Sequence, residues 1–156
     1  MNAELLAAPL LSFVVGYLLG SIPFGVHLPR AAGPGDLLNI GSGNIGATNV
    51  LRTGRKGLAA LTLILDGAKG AAAVLLVGLY SPEHQQLAAL AALLGHLWPV
   101  WLGFRGGKGV ATFFGIMAAL HWPSSLIYAA VWIATLAISR YSSLAGMAAA
   151  LLAPVA

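Results

Sequence analysis

The feature that most constrains this chain is an uncharged, mostly apolar run of 22 residues at positions 5–26. At about 1.5 Å of rise per residue, a helix of this length crosses the roughly 30 Å hydrocarbon core of a bilayer. Only 8% of the residues are charged, whereas soluble domains carry about 25% charged residues. The sequence therefore predicts an all-α, polytopic bundle of transmembrane helices.

Five further apolar runs follow, at 57–80, 87–104, 110–122, 126–138 and 144–156. We therefore predict about six spans in a single transmembrane domain over residues 1–156. The run at 110–122 would form a helix of only ~20 Å. We expect the glycine-rich loop before it to lie below the headgroups, where irregular backbone survives only in a protein interior or a wet cavity.

The distribution of basic residues predicts the orientation. The first, third and fifth loops between the runs hold seven of the eight Lys and Arg residues, and the second and fourth loops hold none. The positive-inside rule places the basic loops in the cytoplasm and the N-terminus outside. The acidic start MNAE lacks the basic beginning of a signal peptide, so we expect the first run to be retained.

The stretch NIGSGNIGATNVLR contains Gly41, Gly43 and Gly46, the G-x-G-x-x-G spacing of dinucleotide sites. Such a site needs a preceding strand and an acid about 20 residues further on. No strand run precedes this motif, and the acid at that distance, Asp66, falls inside an apolar run. The density of Gly, Ser, Asn and Thr before Arg52 favours a phosphate site over a plain flexible loop.

The stretch GFRGGKGVAT resembles a Walker A loop but departs from it twice, at Leu102 and Gly109. Lys108 nevertheless stands between glycines before a predicted helix, where a cation and free N–H groups suit a phosphate or an oxyanion. The alternative is a positive-inside anchor, for which Arg105 is the better candidate. We therefore predict a second anion site on the same side as the first.

Five other polar residues admit two interpretations each. Asp66 and Lys69 share a helix face, and either neutralise each other in the bundle or orient the site. His96 is either hydrogen-bonded packing or part of the chemistry. Ser142 and Ser143 either cap a helix or donate to substrate.

Several classes of function are excluded by what the sequence lacks. None of the four histidines is followed by the aspartate of an H-x-x-x-x-D acyltransferase motif. The chain has no cysteine, which excludes disulfides and thiolate ligands. We find no Ser-His-Asp set, metal cluster or basic-aromatic face for nucleic acid. A small transporter of organic phosphates stays open as the alternative, although transporters tend to show internal repeats.

The ordered set GSIPFG, GSGNIGATNVLR, GRKG, LDGAKG, GHLWPVWLGFRGGKGVAT and YSSL resembles one family. This is the PlsY family of bacterial integral-membrane acyl-phosphate:glycerol-3-phosphate acyltransferases. The resemblance implies a seven-span bundle in the bacterial plasma (inner) membrane with its active site facing the cytoplasm. It also implies acyl transfer from acyl phosphate to glycerol 3-phosphate, which gives lysophosphatidic acid in the first acylation step of phospholipid synthesis.

The resemblance assigns Ser42, Asn44, Thr48 and Arg52 to the first phosphate site, and Gly107, Lys108 and Gly109 to the second. Combined with the patterns above, it predicts Lys108, Arg52 and Ser42 as catalytic residues. The predicted phosphate-binding residues are Gly41, Gly43, Asn44, Gly46, Thr48, Asn49, Gly106, Gly107, Gly109, Ser142 and Ser143. The predicted supporting residues are His96, Asp66 and Lys69.

The expected partners are acyl phosphate, glycerol 3-phosphate and membrane lipids, with no nucleic acid, no metal and no cofactor. We expect a monomer. The family continues through a final span to a His-x-x-Asn segment that helps to bind substrate, and this chain ends at Ala156 without it. We therefore expect the chain to be C-terminally incomplete relative to the family, which bears on the activity of this exact polypeptide.

Overall fold

The computed structural model describes residues 3–33 and 43–153, with side chains from residue 6 onwards. Over these ranges all regular structure is helical, which confirms the all-α prediction. The α-helices are α1 (Ala3–Gly20), α2 (Phe24–Ala31), α3 (Ala47–Leu51), α4 (Lys56–Tyr80), α5 (Gln85–Leu97), α6 (Val110–Leu120), α7 (Trp122–Ser139) and α8 (Ser142–Leu152). Short 3₁₀ turns lie at Pro82–His84 and Val100–Leu102.

The first apolar run is not one continuous helix, because α1 ends at Gly20 and α2 begins at Phe24. Pro23 has no N–H to donate and disfavours the helical conformation of the residue before it. The carbonyl oxygen of Ile22 accepts a hydrogen bond of 2.7 Å from Lys69 Nζ instead. A buried cation therefore satisfies backbone that the helix break has freed, as the membrane interior requires.

The predicted span at 87–104 is also interrupted. The helix α5 ends at Leu97, and residues 98–109 form a loop that contains one 3₁₀ turn. Pro99 again explains the break, since Trp98 before it has left the helical conformation (φ −132°, ψ 67°). This run was predicted as one span without the break, and the loop at 98–109 carries the second glycine motif.

Within the described ranges, three helical segments are long and apolar enough to cross a membrane: Leu6–Ala31, Lys56–Tyr80 and Trp122–Ser139. Two shorter apolar helices are Val110–Leu120 and Ser142–Leu152. Large apolar side chains point outward along the bundle; Leu79 is 83% exposed and Ile138 86% exposed. The total of about six spans and the outward N-terminus stay predictions.

Glycine brings neighbouring helices into close contact. A Cβ at Gly20 of α1 would collide with the backbone of Ala92 on α5, and one at Gly115 of α6 would collide with the carbonyl oxygen of Gly67 on α4. Lipid tails are as apolar as buried side chains, so the hydrophobic effect does not drive helices together in a membrane. Helices there associate through close packing at such small residues instead. The contact between Gly67 and Gly115 holds α4 beside α6, and the first residues of both helices, Lys56 and Val110, line the same cavity.

Candidate functional site

The two glycine-rich motifs meet at one cavity of about 360 Å³. Arg52 of the first motif and Lys108 of the second both line it, although 55 positions separate them in the sequence. Of the predicted site residues, the following line the cavity: Asn44, Gly46, Thr48, Asn49, Arg52, Asp66, His96, Lys108, Gly109 and Ser142. The structure thus brings most of the predicted residues together, while their roles stay predictions.

Other predicted residues are described but do not line this cavity: Gly43, Gly106, Gly107, Ser143 and Lys69. Gly43 adopts a positive φ of 65°, a conformation suited to glycine at the start of the first loop. Gly106 and Gly107 pack beneath the cavity against α5. Two further predicted residues, Gly41 and Ser42, lie outside the described residues.

The first loop is held in place by two buried apolar residues and one polar turn. Ile45 and Val50 are almost completely buried. Gly25 of α2 allows this approach, since a Cβ there would collide with the carbonyl oxygen of Ile45. Asn44 Oδ1 accepts a hydrogen bond of 3.0 Å from the N–H of Gly46, which directs the chain into α3.

Arg55 closes the first loop at its far end. Its guanidinium donates to the carbonyl oxygens of Pro29 at 3.5 Å and Ala32 at 3.3 Å, at the C-terminal end of α2. A cation at that end satisfies free carbonyl groups and complements the negative end of the helix dipole. Arg55, the residue before α4, therefore ties the end of this loop to the C-terminal end of α2.

The second loop rests on His96. The N–H of Gly107 donates to the carbonyl oxygen of His96 at 3.0 Å, and a Cβ at Gly107 would overlap the imidazole ring at Nε2. The opposite ring nitrogen, Nδ1, lies 3.0 Å from Thr112 Oγ1 of α6. His96 is buried and hydrogen-bonded, as the packing interpretation requires, and it also borders the cavity.

Asp66 and Lys69 form a buried ion pair. Asp66 Oδ1 lies 2.9 Å from Lys69 Nζ and 3.8 Å from His96 Nδ1. Lys69 holds the break between α1 and α2 through Ile22, while Asp66 borders the cavity. The pair therefore neutralises two charges inside the bundle and also connects the helix break to the site, so the two interpretations of the sequence are compatible.

The cavity is suited to anions by charge and by helix direction. Arg52, Lys56 and Lys108 contribute cations, whereas the acid in the lining, Asp66, is paired with Lys69. The first residues of α4, α6 and α8 also line the cavity; they are Lys56, Val110 and Ser142. Helix N-termini present unpaired N–H groups and the positive end of the helix dipole, which both favour a phosphate.

Nine residues of the lining were not among the predicted site residues, and two of these nine have polar side chains, Lys56 and Trp132. Lys56 was used only to predict the orientation in the membrane. Its position four residues after Arg52 is a signal that the two cations could belong to one site. Trp132 stands within the apolar run at 126–138, where nothing in the sequence distinguishes it from a lipid-facing residue. Over residues 3–33 and 43–153, no three His, Asp or Glu side chains converge as metal ligands would.

The family model described as "Glycerol-3-phosphate acyltransferase" matches residues 10–156. The chain belongs to the glycerol-3-phosphate acyltransferase family. The relative from Mesorhizobium japonicum, named glycerol-3-phosphate acyltransferase, is 61% identical over 147 residues, which cover 94% of this chain and 75% of the relative. The relative of the same name from Novosphingobium aromaticivorans is 64% identical over 145 residues, with 93% and 74% covered.

Solved structures of the family share the fold. The crystal structure of PlsY, an integral membrane glycerol 3-phosphate acyltransferase, in its glycerol 3-phosphate form has a TM-score of 0.86 at 39% identity. The match covers 93% of this chain and 74% of that one. A second structure of PlsY, in its lysophosphatidic acid form, has a TM-score of 0.84 at 38% identity and covers 93% of this chain and 73% of that one. The resemblance to the PlsY family is therefore confirmed.

The packing of the second loop on His96 yields a test of this acyltransferase's site architecture. Gly107→Ala should lower the melting temperature by several degrees, because the added methyl group overlaps the imidazole ring. In a His96→Ala background the same change should be nearly neutral, since the ring is gone. Thermal unfolding of the four variants in detergent measures the coupling.

The control for this cycle is Gly57→Ala, at a helical glycine where a Cβ would have no neighbour within 4 Å. This change should leave the melting temperature unchanged or slightly raised. An equal loss of stability from Gly107→Ala in both backgrounds would contradict the described contact between Gly107 and His96.

Proposed function

We propose that this protein transfers a fatty acyl group from an acyl phosphate to glycerol 3-phosphate, giving lysophosphatidate and phosphate. Membership of the glycerol-3-phosphate acyltransferase family supports the acceptor and the type of reaction. The observation that carries the proposal is the single cavity that Arg52 and Lys108 line together. Two anionic reactants need two sets of cationic and N–H donors, and the two glycine-rich loops supply them.

An apolar groove supports an acyl donor with a charged head. The groove has a volume of about 550 Å³ and runs between α4, α6 and α7. Four residues line both the groove and the polar cavity: Leu63, Val110, Ala111 and Trp132. A ligand can therefore place its phosphate among the basic side chains and its hydrocarbon chain along the apolar helices, which is the shape of an acyl phosphate.

The chemistry asks little of the protein beyond position and charge. A hydroxyl oxygen of glycerol 3-phosphate attacks the carbonyl carbon of the acyl phosphate, and the bond from that carbon to the phosphate oxygen breaks. Phosphate leaves with the electron pair and accepts the proton of the attacking hydroxyl. An acyl phosphate is an activated anhydride, so alignment of the reactants and stabilisation of the developing oxyanion are the main contributions of the site.

Lys108 and the backbone N–H groups beside it are our candidates for stabilising that oxyanion, and Arg52 for gripping a phosphate as a fork. Lys56 adds a third cation to the same cavity. Asn44, Thr48, Asn49 and Ser142 also line the cavity and are our candidates for further phosphate contacts. His96 and Asp66 support the site from below, through the second loop and the ion pair.

Phosphate release from palmitoyl phosphate by the purified protein tests the proposed reaction. We expect release only when glycerol 3-phosphate is present, with lysophosphatidate as the lipid product. Release without the acceptor would contradict acyl transfer. Uptake of glycerol 3-phosphate into vesicles without acylation would favour the alternative, a transporter of organic phosphates.

Arg52→Ala and Lys108→Ala should each lower turnover by about 10²-fold or more, because each removes a charged donor from the site. Arg105→Ala is the matched control, since Arg105 lies in the same loop as Lys108 but is exposed and does not line the cavity. It should keep turnover within about twofold. Normal turnover of the Lys108 variant would show that this site assignment is wrong.

We further propose that the cavity faces the cytoplasm of the bacterial inner membrane, as the basic loops indicate. The chain has no cysteine, so single cysteines can report topology without background. Arg105→Cys, on the loop beside the cavity, should react with an impermeant maleimide only after the membrane is opened. Glu83→Cys, an exposed residue after the other end of α4, should react in intact cells. The reverse pattern would contradict the orientation.

A further inference from the structure

Trp132 of α7 has a hydrogen-bond donor without a partner. Its indole Nε1–H is screened from solvent and donates to no acceptor among the described residues. A buried donor left unpaired costs about 1–3 kcal/mol, and the polar ends of buried Tyr and Trp usually find a partner. The buried Tyr128 does so, since its Oη donates to the Val110 carbonyl oxygen at 3.3 Å, and even the exposed Trp101 donates from Nε1 to Ser21 Oγ at 3.0 Å.

The position of Trp132 suggests what its donor is for. It lines both the polar cavity and the apolar groove. The other residues common to both linings are Leu63, Val110 and Ala111, whose side chains carry no polar atom. Among the residues at this junction, the indole N–H is therefore the sole side-chain donor.

Packing holds the indole in place without using its nitrogen. Trp132 packs against a buried apolar cluster of Tyr128, Ala149 and Ala153, which joins α7 to the C-terminal part of α8. A donor fixed by apolar neighbours needs no reorganisation when an acceptor arrives, and its hydrogen bond is stronger where water is excluded.

We propose that the indole N–H of Trp132 donates a hydrogen bond to the carbonyl oxygen of the acyl donor. This inference rests on the proposed function, because an acyl phosphate places its carbonyl where the charged head meets the hydrocarbon chain. With the phosphate among the basic side chains and the chain in the groove, that carbonyl lies at the junction. Trp132 thereby seats the electrophilic carbon for attack and stabilises the charge that develops on its oxygen.

Trp132→Phe tests the contact, since it removes the N–H and keeps an aromatic ring in the cluster. We expect kcat to fall at least about tenfold, the effect of losing one donor whose hydrogen bond strengthens in the transition state. The KM for glycerol 3-phosphate should change by less than about twofold, because the acceptor binds elsewhere in the cavity. Steady-state kinetics with palmitoyl phosphate, at varied acceptor concentration, separate the two parameters.

Trp122→Phe is the matched control, the same substitution on the same helix about 15 Å away. Trp122 is 65% exposed and lines neither cavity. It should keep both kinetic parameters. Both variants should melt within a few degrees of the wild type, since Phe keeps an aromatic ring at each position and Trp132→Phe offsets its lost packing by deleting an unsatisfied donor.

Four outcomes would overturn the inference. They are an unchanged kcat in Trp132→Phe, an equal loss in both variants, a raised acceptor KM with normal kcat, and a lowered melting temperature that accounts for the lost activity. A different donor preference is distinguishable from these. If the wild type used only an acyl thioester, the proposed donor would be wrong. A loss of kcat in Trp132→Phe with that thioester would still support the hydrogen bond to the acyl carbonyl, since a thioester has the same carbonyl group. An unchanged kcat with the thioester would overturn the inference.

Discussion

The structure depends on the rule that polar groups inside a membrane must find partners within the protein. The hydrogen bond from Lys69 to the Ile22 carbonyl oxygen shows how this chain obeys it. Pro23 breaks the first apolar helix, the break frees a carbonyl, and a buried lysine supplies the donor. That lysine then needs a counter-ion, which is Asp66 at 2.9 Å. Asp66 in turn lies near His96, which carries the second glycine-rich loop. One helix break is thus connected through three side chains to the floor of the site.

Glycine has two separate uses in this chain. At Gly20, Gly25 and Gly115 it allows backbones to meet, and a Cβ at any of them would collide with a neighbouring chain segment. At Gly43 and Gly109 it permits positive φ in the loops that enter the cavity. The first use compacts the bundle without large side chains, and the second shapes the backbone around a cavity that is suited to anions. Because glycine contributes no side chain, the charged groups that face the cavity from these loops are the cations Arg52 and Lys108.

The sequence predicted the helical membrane architecture and the meeting of the two glycine motifs, because both follow from local patterns. Apolar length predicts helices in lipid, and glycines around a lysine or before an arginine predict an anion site. The breaks at Pro23 and Pro99 were missed, since hydropathy runs through them without interruption even though proline is a known breaker. Trp132 could not be found from the sequence, because its significance comes from which cavities it borders. Lys69 stood out as a charge in an apolar run, but its hydrogen bond to the Ile22 carbonyl oxygen could not be predicted, because it joins two residues that are distant in sequence.

The absence of a histidine–aspartate base motif is consistent with this site once the donor is an acyl phosphate. A base is needed when the leaving group is poor and the nucleophile must be deprotonated early. A departing phosphate can accept the proton that the attacking hydroxyl loses, so the protein must chiefly hold two anions together against their mutual repulsion. In the proposed function, that task falls to the three cations and the N-terminal ends of α4, α6 and α8 that line one cavity. The proposed acyl donor would also account for the position of that cavity beside an apolar groove between membrane helices, since its hydrocarbon chain can stay beside the bilayer while its head reacts.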